Sequence, residues 1–262
     1  MTRKEKICKE IESIIEVRYA TNNRCYQSGS TINPDGSVTH SIGVAQPSVD
    51  VMFNAMNTSS AGWGVNILMN NERIVLVMPW NRRPWGCGSG SRGSYNNTKF
   101  QFEICEPAGH TYAGGTMIGY DVAKNQKWFD GMWDLLVKLH VYLCVKFGNT
   151  SAGMVDHAES YRQGYGSNHA DVGHWLPKHG KSMTILRNEV QAILDDNTDV
   201  DKKEPEYPVP DNTPDSWAKD AVDNAVRLGL LLGDDTGNYM LHKECSRQEM
   251  VVFLYRIYNK LI

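Results

Sequence analysis

The stretch from Lys124 to Phe147 limits the possible folds more than any other part of the chain. Trp128, Met132, Leu135, Leu136, Leu139 and Leu143 recur there at helical spacing, with no proline to interrupt them. A helix this long with so broad an apolar stripe must be covered, and the spacing predicts that it packs on a sheet. His140 and Cys144 fall inside the pattern; His140 reads as a satisfied or exposed helical histidine and Cys144 as a core residue, neither as chemistry.

The strands for such a sheet precede the helix. Val38-Thr-His40-Ser-Ile42 follows an Asn-Pro-Asp-Gly turn and reads as a strand, with His40 near its end just before Gly43 and a loop. Gly64–Met69 and Arg73–Met78, joined by Asn70-Asn-Glu72, read as a hairpin. Phe100-Gln-Phe-Glu-Ile-Cys alternates strictly, placing Phe100, Phe102 and Ile104 on one face and Gln101, Glu103 and Cys105 on the other. If the aromatic face lies under helices, Glu103 stands on the floor of a site; Glu106 opens the following loop and is a weaker candidate. Helices are predicted over residues 3 to 17, near Val49–Met56, and from Ser182 to Asp195. The loop Pro79–Gly93, dense in Trp, Arg and Gly, has the make-up of a binding loop, the alternative being that its two tryptophans are simply packed.

The pattern predicts a mixed α/β domain over 1–196, with a mixed central sheet flanked by helices. A polar segment with four prolines, 197–214, reads as a linker, and 215–262 as a small all-α module of two helices. Ser246-Arg-Gln-Glu249 has the form of a capping box opening the last helix, and so small a module is marginal unless it packs against a neighbour.

Composition excludes several classes. A net charge of -3 leaves no basic footprint for nucleic acid. No apolar run reaches the length of a membrane span, and the charged start Met1-Thr-Arg-Lys-Glu-Lys has no apolar run after it, so export by the general secretory route is not expected. The six cysteines form no Cys-x-x-Cys pair; they are expected to be reduced and mostly small core residues.

Chemistry concentrates in His157–Gly180, which holds four of the eight histidines and Asp171. The segment is rich in Gly, Ser and Asn, and is expected to be neither regular helix nor strand. Imidazole and carboxylate are ligands of hydrolytic zinc sites, which use three protein ligands and leave a fourth position to water. The candidates are His40, His157 and Asp171 as ligands, Glu103 as base and His169 as donor to developing charge. On chemistry alone His174 and His179 are equally plausible, as is a solvated loop in which histidines merely occur.

Five segments bear on the choice: Thr39-His40-Ser41, Pro79-Trp-Asn-Arg-Arg-Pro-Trp-Gly-Cys-Gly88, Phe102-Glu103-Ile-Cys-Glu106, His157-Ala-Glu-Ser-Tyr-Arg-Gln-Gly164 and Ser167-Asn-His169-Ala-Asp171. In this order they resemble the zinc-dependent N-acetylmuramoyl-L-alanine amidases of the type-2 amidase and peptidoglycan recognition protein superfamily, and in particular endolysins of clostridial phages and prophages. The resemblance covers about residues 25 to 196. It implies Zn2+ on His40, His157 and Asp171, Glu103 as the glutamate of the family's Gly-x-Glu strand, and His169 in the place of a lysine. Its implied reaction is cleavage of the amide between N-acetylmuramic acid and L-alanine in peptidoglycan, by a protein made in the cytoplasm and acting on the cell wall after release. Asn66 and Gly86 depart from the pattern, since many relatives carry histidine there. Two alternatives stand beside this reading: a peptidoglycan-binding protein of the same fold that cuts weakly or not at all, and a cysteine peptidase using Cys105 or Cys87.

In the module, Trp217-Ala-Lys-Asp-Ala-Val, Gly233-Asp-Asp-Thr-Gly237 and Ser246-Arg-Gln-Glu249 resemble one S-layer homology repeat, without the proline usual before the second helix. The resemblance implies attachment to a secondary cell-wall polymer. A single copy implies weak attachment, homo-oligomerisation that gathers copies, or a purely structural addition.

Overall fold

The computed structural model describes residues 1–198, 211–234 and 237–261. Most of the expected linker, 199–210, and the centre of the Gly233–Gly237 turn lie outside the described residues. The chain divides into two compact units, Met1–Asp201 and Lys202–Ile262.

In the first unit the elements run α1 (Arg3–Ile14), β1 (Ile15–Val17), α2 (Arg24–Gln27), β2 (Gly36–Ser41), α3 (Val49–Met56), β3 (Ile67–Met69), β4 (Ile74–Leu76), β5 (Lys99–Ile104), β6 (Thr111–Ala113), β7 (Thr116–Ile118), α4 (Val122–Phe147), β8 (Met154–Asp156), α5 (His157–Arg162) and α6 (Met183–Asp195). Six strands form one sheet in the order β1-β4-β3-β5-β2-β8, parallel at every pairing except β3 with β4. This is the expected mixed α/β architecture, a central sheet flanked by helices.

Alternation along the strands decides what each face carries. Ile67, Met69, Ile74, Leu76, Phe100, Phe102 and Ile104 join one buried cluster with residues of α1, α4 and α6. Leu68, Val75 and Cys105 point the other way, into a smaller cluster with Val49, Phe53 and Met56 of α3. The aromatic face of β5 therefore lies under α4, and Glu103 stands on the opposite face. The long helix is capped by the Asp121 side chain, which accepts from Lys124 N–H at 3.0 Å, and ends at Gly148 in the left-handed conformation. It is buried well beyond the expected stripe, for Phe129, Trp133, Val137 and Val141 are also covered. His140 lies in this core, within 3.3 Å of Ser37 Oγ and 3.4 Å of Thr39 Oγ1.

Two local expectations are corrected, and one strand was not expected at all. Residues 15–17 are not the end of the first helix; Ile15, Glu16 and Val17 pair in parallel with Ile74, Val75 and Leu76. Helical periodicity continues through this run, but its β-branched residues complete a sheet edge, and Arg73 clasps Glu16 through two bonds of 2.7 and 2.8 Å. Met154–Asp156 is a strand the pattern did not suggest, too short to show alternation. Its successor, the opening of the histidine-rich segment, is helical: Asp156 caps Glu159 N–H and the Glu159 side chain returns to Asp156 N–H, a capping box that starts α5 at His157.

The second unit contains α7 (Lys219–Arg227) and α8 (Arg247–Leu261). Ser246 and Glu249 make both bonds of a capping box, at 3.2 and 2.7 Å. Asp211 accepts from His242 N–H at 2.8 Å and meets its ring at 2.7 Å. Among the described residues of this unit only Asp211 and Asn238 are buried, while Trp217, Met250, Val251, Leu254 and Tyr255 are exposed. No helix of the described residues is long and apolar enough to cross a membrane.

Candidate functional site

His40 and Glu103 are register partners on the adjacent parallel strands β2 and β5, so both side chains leave the same face of the sheet. His157 reaches that face because β8 pairs with the other side of β2 and the capping box turns the chain into α5 immediately after Asp156. Asp171 arrives from a 3-10 turn, Asp171–His174, with φ at +43°, a left-handed conformation that aspartate tolerates better than most residues.

These elements bring three ligand atoms together. His40 Nδ1 and His157 Nδ1 lie 3.0 Å apart, and Asp171 Oδ2 is 2.7 Å from each. Among the described residues they are the group able to hold a metal ion. Each ring is engaged on its far side, His40 Nε2 with Gln101 Oε1 at 3.2 Å and His157 Nε2 with Ser167 Oγ at 3.1 Å, which turns both Nδ1 atoms toward the centre. Burial by itself would raise the pKa of Asp171, but hydrogen bonds from His157 and His40, and then their charge, outweigh it and hold the carboxyl well below its usual range. Two imidazole nitrogens and an ionised carboxylate around one point suit a cation, and a metal taking that place would displace the ring protons.

Glu103 Oε2 is buried with no hydrogen-bond partner. Burial, then the charges of Asp171 and Glu106, push its pKa well above that of an ordinary glutamate. An orphaned carboxylate oxygen beside two histidines and an aspartate fits a site built for a cation and a water. His169 is exposed and sets its ring edge-on to His157, with centroids 4.7 Å apart.

The other candidates lie elsewhere. His179 stacks on Phe129 at 3.8 Å, accepts from the Tyr120 hydroxyl at 2.9 Å and meets Gln126 Oε1 at 3.0 Å. His174 packs edge-on to Tyr112. Glu106 is fully buried and bonded to His110, the Tyr112 hydroxyl and Gly43 N–H, a clasp between the ends of β5 and β2. Burial raises the thiol of Cys87 and pushes that of Cys105 up to about 12, so neither is the thiolate a cysteine peptidase needs. Sequence reasoning missed Gln101 and Ser167 as partners of the ligand rings. Period two did place Gln101 on the face of Glu103, which was the one signal available.

An α/β protein with a His-His-Asp group where neighbouring strands of a mostly parallel sheet end is the class that fold and site define. The model of the N-acetylmuramoyl-L-alanine amidase family matches residues 29–174, more than half of the 262-residue chain, and the chain belongs to that family. Curated protein sequences contain no match. Among solved structures, the Staphylococcus aureus hydrolase AmiA in complex with its ligand is similar at 19% identity and a TM-score of 0.50, covering 72% of this chain and 88% of that one. The PlyG catalytic domain in solution is similar at 14% identity and a TM-score of 0.50, covering 71% and 98%. At such identities these likenesses speak to the fold.

Proposed function

We propose that this member of the amidase family cleaves the amide between N-acetylmuramic acid and the L-alanine of the peptidoglycan stem, as a zinc enzyme with His40, His157 and Asp171 as ligands. The observation that carries the reading is the meeting of His40 Nδ1, His157 Nδ1 and Asp171 Oδ2 within 3.0 Å of one another, on the sheet face of Glu103, whose Oε2 is buried without a partner.

Zinc held there supplies a Lewis acid and a water of lowered pKa. Glu103 is the base: its unpartnered Oε2 takes the proton of the attacking water and hands it to the departing amine of L-alanine. A carboxyl with raised proton affinity suits this shuttle, because the proton must be held and then released. His169, exposed at the rim beside His157, donates to the oxygen that gains charge as the carbonyl carbon becomes tetrahedral. Asp171 stays ionised throughout and orients both histidines.

For residues 215–262 we propose attachment to a secondary cell-wall polymer, in the manner of an S-layer homology repeat, with an endolysin-like role for the whole chain at the wall. The support is the resemblance of the repeat segments and the exposed Trp217.

The test is release of free L-alanine amino groups from purified cell walls, with and without a chelator. Release that stops with chelator and returns with Zn2+ is expected. Undiminished release in chelator overturns the zinc mechanism, and walls that bind the metal-loaded chain without being cut favour the binding-protein alternative.

A further inference from the structure

Gln101 is outside the group His40, His157 and Asp171, yet the hydrogen-bond chain through it dictates which nitrogen of His40 faces the centre. The chain starts at the backbone. Gly86 N–H and Cys87 N–H both donate to Asn96 Oδ1, at 3.2 and 3.1 Å. A backbone N–H can only donate, so the orientation of the Asn96 amide is fixed with its oxygen toward them. Gln101 Nε2 lies 2.7 Å from the same oxygen and must therefore be the NH2 end of its own amide. The opposite end, Oε1, faces His40 Nε2 at 3.2 Å and can only accept, so that ring nitrogen carries the hydrogen. Nδ1 is left to the ligand group.

Two further features converge on the same side chain. A Cβ on Gly86 would overlap Gln101 Oε1, so the bare glycine leaves the space the amide fills. Asn66, wholly buried, accepts at its Oδ1 from the backbone N–H of Gln101 at 3.0 Å, and its own backbone N–H donates to Gln101 O at 3.0 Å. Asn66 and Gly86 thus both border Gln101.

We infer that Gln101 is the positioning residue for His40, presetting its Nδ1 for the metal, and that Gly86 and Asn96 act on the site only through Gln101. The inference rests on the zinc reading above. It predicts a specific coupling, because a methyl group at position 86 harms the site only while Gln101 is there to be displaced.

The experiment uses the full chain and measures Zn2+ affinity by chelator competition for wild type, Gln101→Ala, Gly86→Ala and the double variant, with a thermal melt of each. Each single variant is expected to bind Zn2+ about 10 to 100-fold more weakly while still folded. The double variant is expected to be no weaker than Gln101→Ala alone, a non-additivity that marks one shared path. Zinc affinity unchanged in Gln101→Ala, or losses that add in the double variant, overturn the inference. A second readout, exchange of the His40 Nε2–H proton by NMR, needs neither metal nor variant: a slowly exchanging Nε2–H is expected in wild type, and a fast one overturns the role of Gln101. If wild type binds no Zn2+, the metal reading fails instead, and the proton exchange still decides the role of Gln101.

Discussion

At the scale of single residues, Glu103 and His140 make opposite use of burial. Glu103 is outside the ligand group, so Glu103→Gln is expected to retain Zn2+ while amide cleavage falls by about 10² to 10⁴-fold, the usual worth of a general base. Metal content and amine release measured on one preparation check this. His140 is a packing residue, and burial lowers its pKa from 6.5 to about 3. Between those values the unfolded chain takes up a proton that the folded chain refuses, so stability falls as pH falls, by up to about 1.4 kcal/mol per pH unit. Denaturant unfolding of wild type and His140→Leu across that window is expected to give a shallower pH dependence for the variant. That His140 stands outside the chemistry was legible from its place in the helical pattern; that it is buried rather than exposed was not. The engagement of Gln101 was not, because a glutamine on a strand shows its face but not what stands across from it.

At the scale of elements, the site depends on where two short pieces begin and end. His157 is the first residue of α5, and the Asp156–Glu159 capping box holds that start. Asp156→Ala is expected to cost about 1 kcal/mol, the typical loss for an N-cap, and to weaken Zn2+ binding as well because a ligand ring loses its anchor. Urea unfolding and chelator competition measure the two effects separately. The alternation of Phe100–Cys105 and the apolar runs of β3 and β4 were readable, since strands buried in the core of a sheet carry short apolar runs bounded by turns. β1 and β8 are each three residues long and gain their conformation from the strands beside them, so neither local propensity nor period announced them.

At the scale of the molecule, two units are expected to divide two tasks. A chain ending after residue 198 should keep its cleavage of a soluble muropeptide but sediment less with cell walls than the full chain; equal sedimentation of the two would refute the attachment proposed for the C-terminal unit. By itself, the sequence determined the mixed α/β class, the long helix over the aromatic face of a strand, and the residue types able to bind a metal, because periodicity and ligand chemistry are local properties. Only the tertiary structure brought His40, His157 and Asp171, far apart in the chain, to a single point. It also set Gln101 and Ser167 behind the rings, and stacked His179 on Phe129 away from the centre. The physical reason is that every histidine reads alike in the sequence, whereas strand register, the capped start of a helix and the space left by a glycine decide which of them meet.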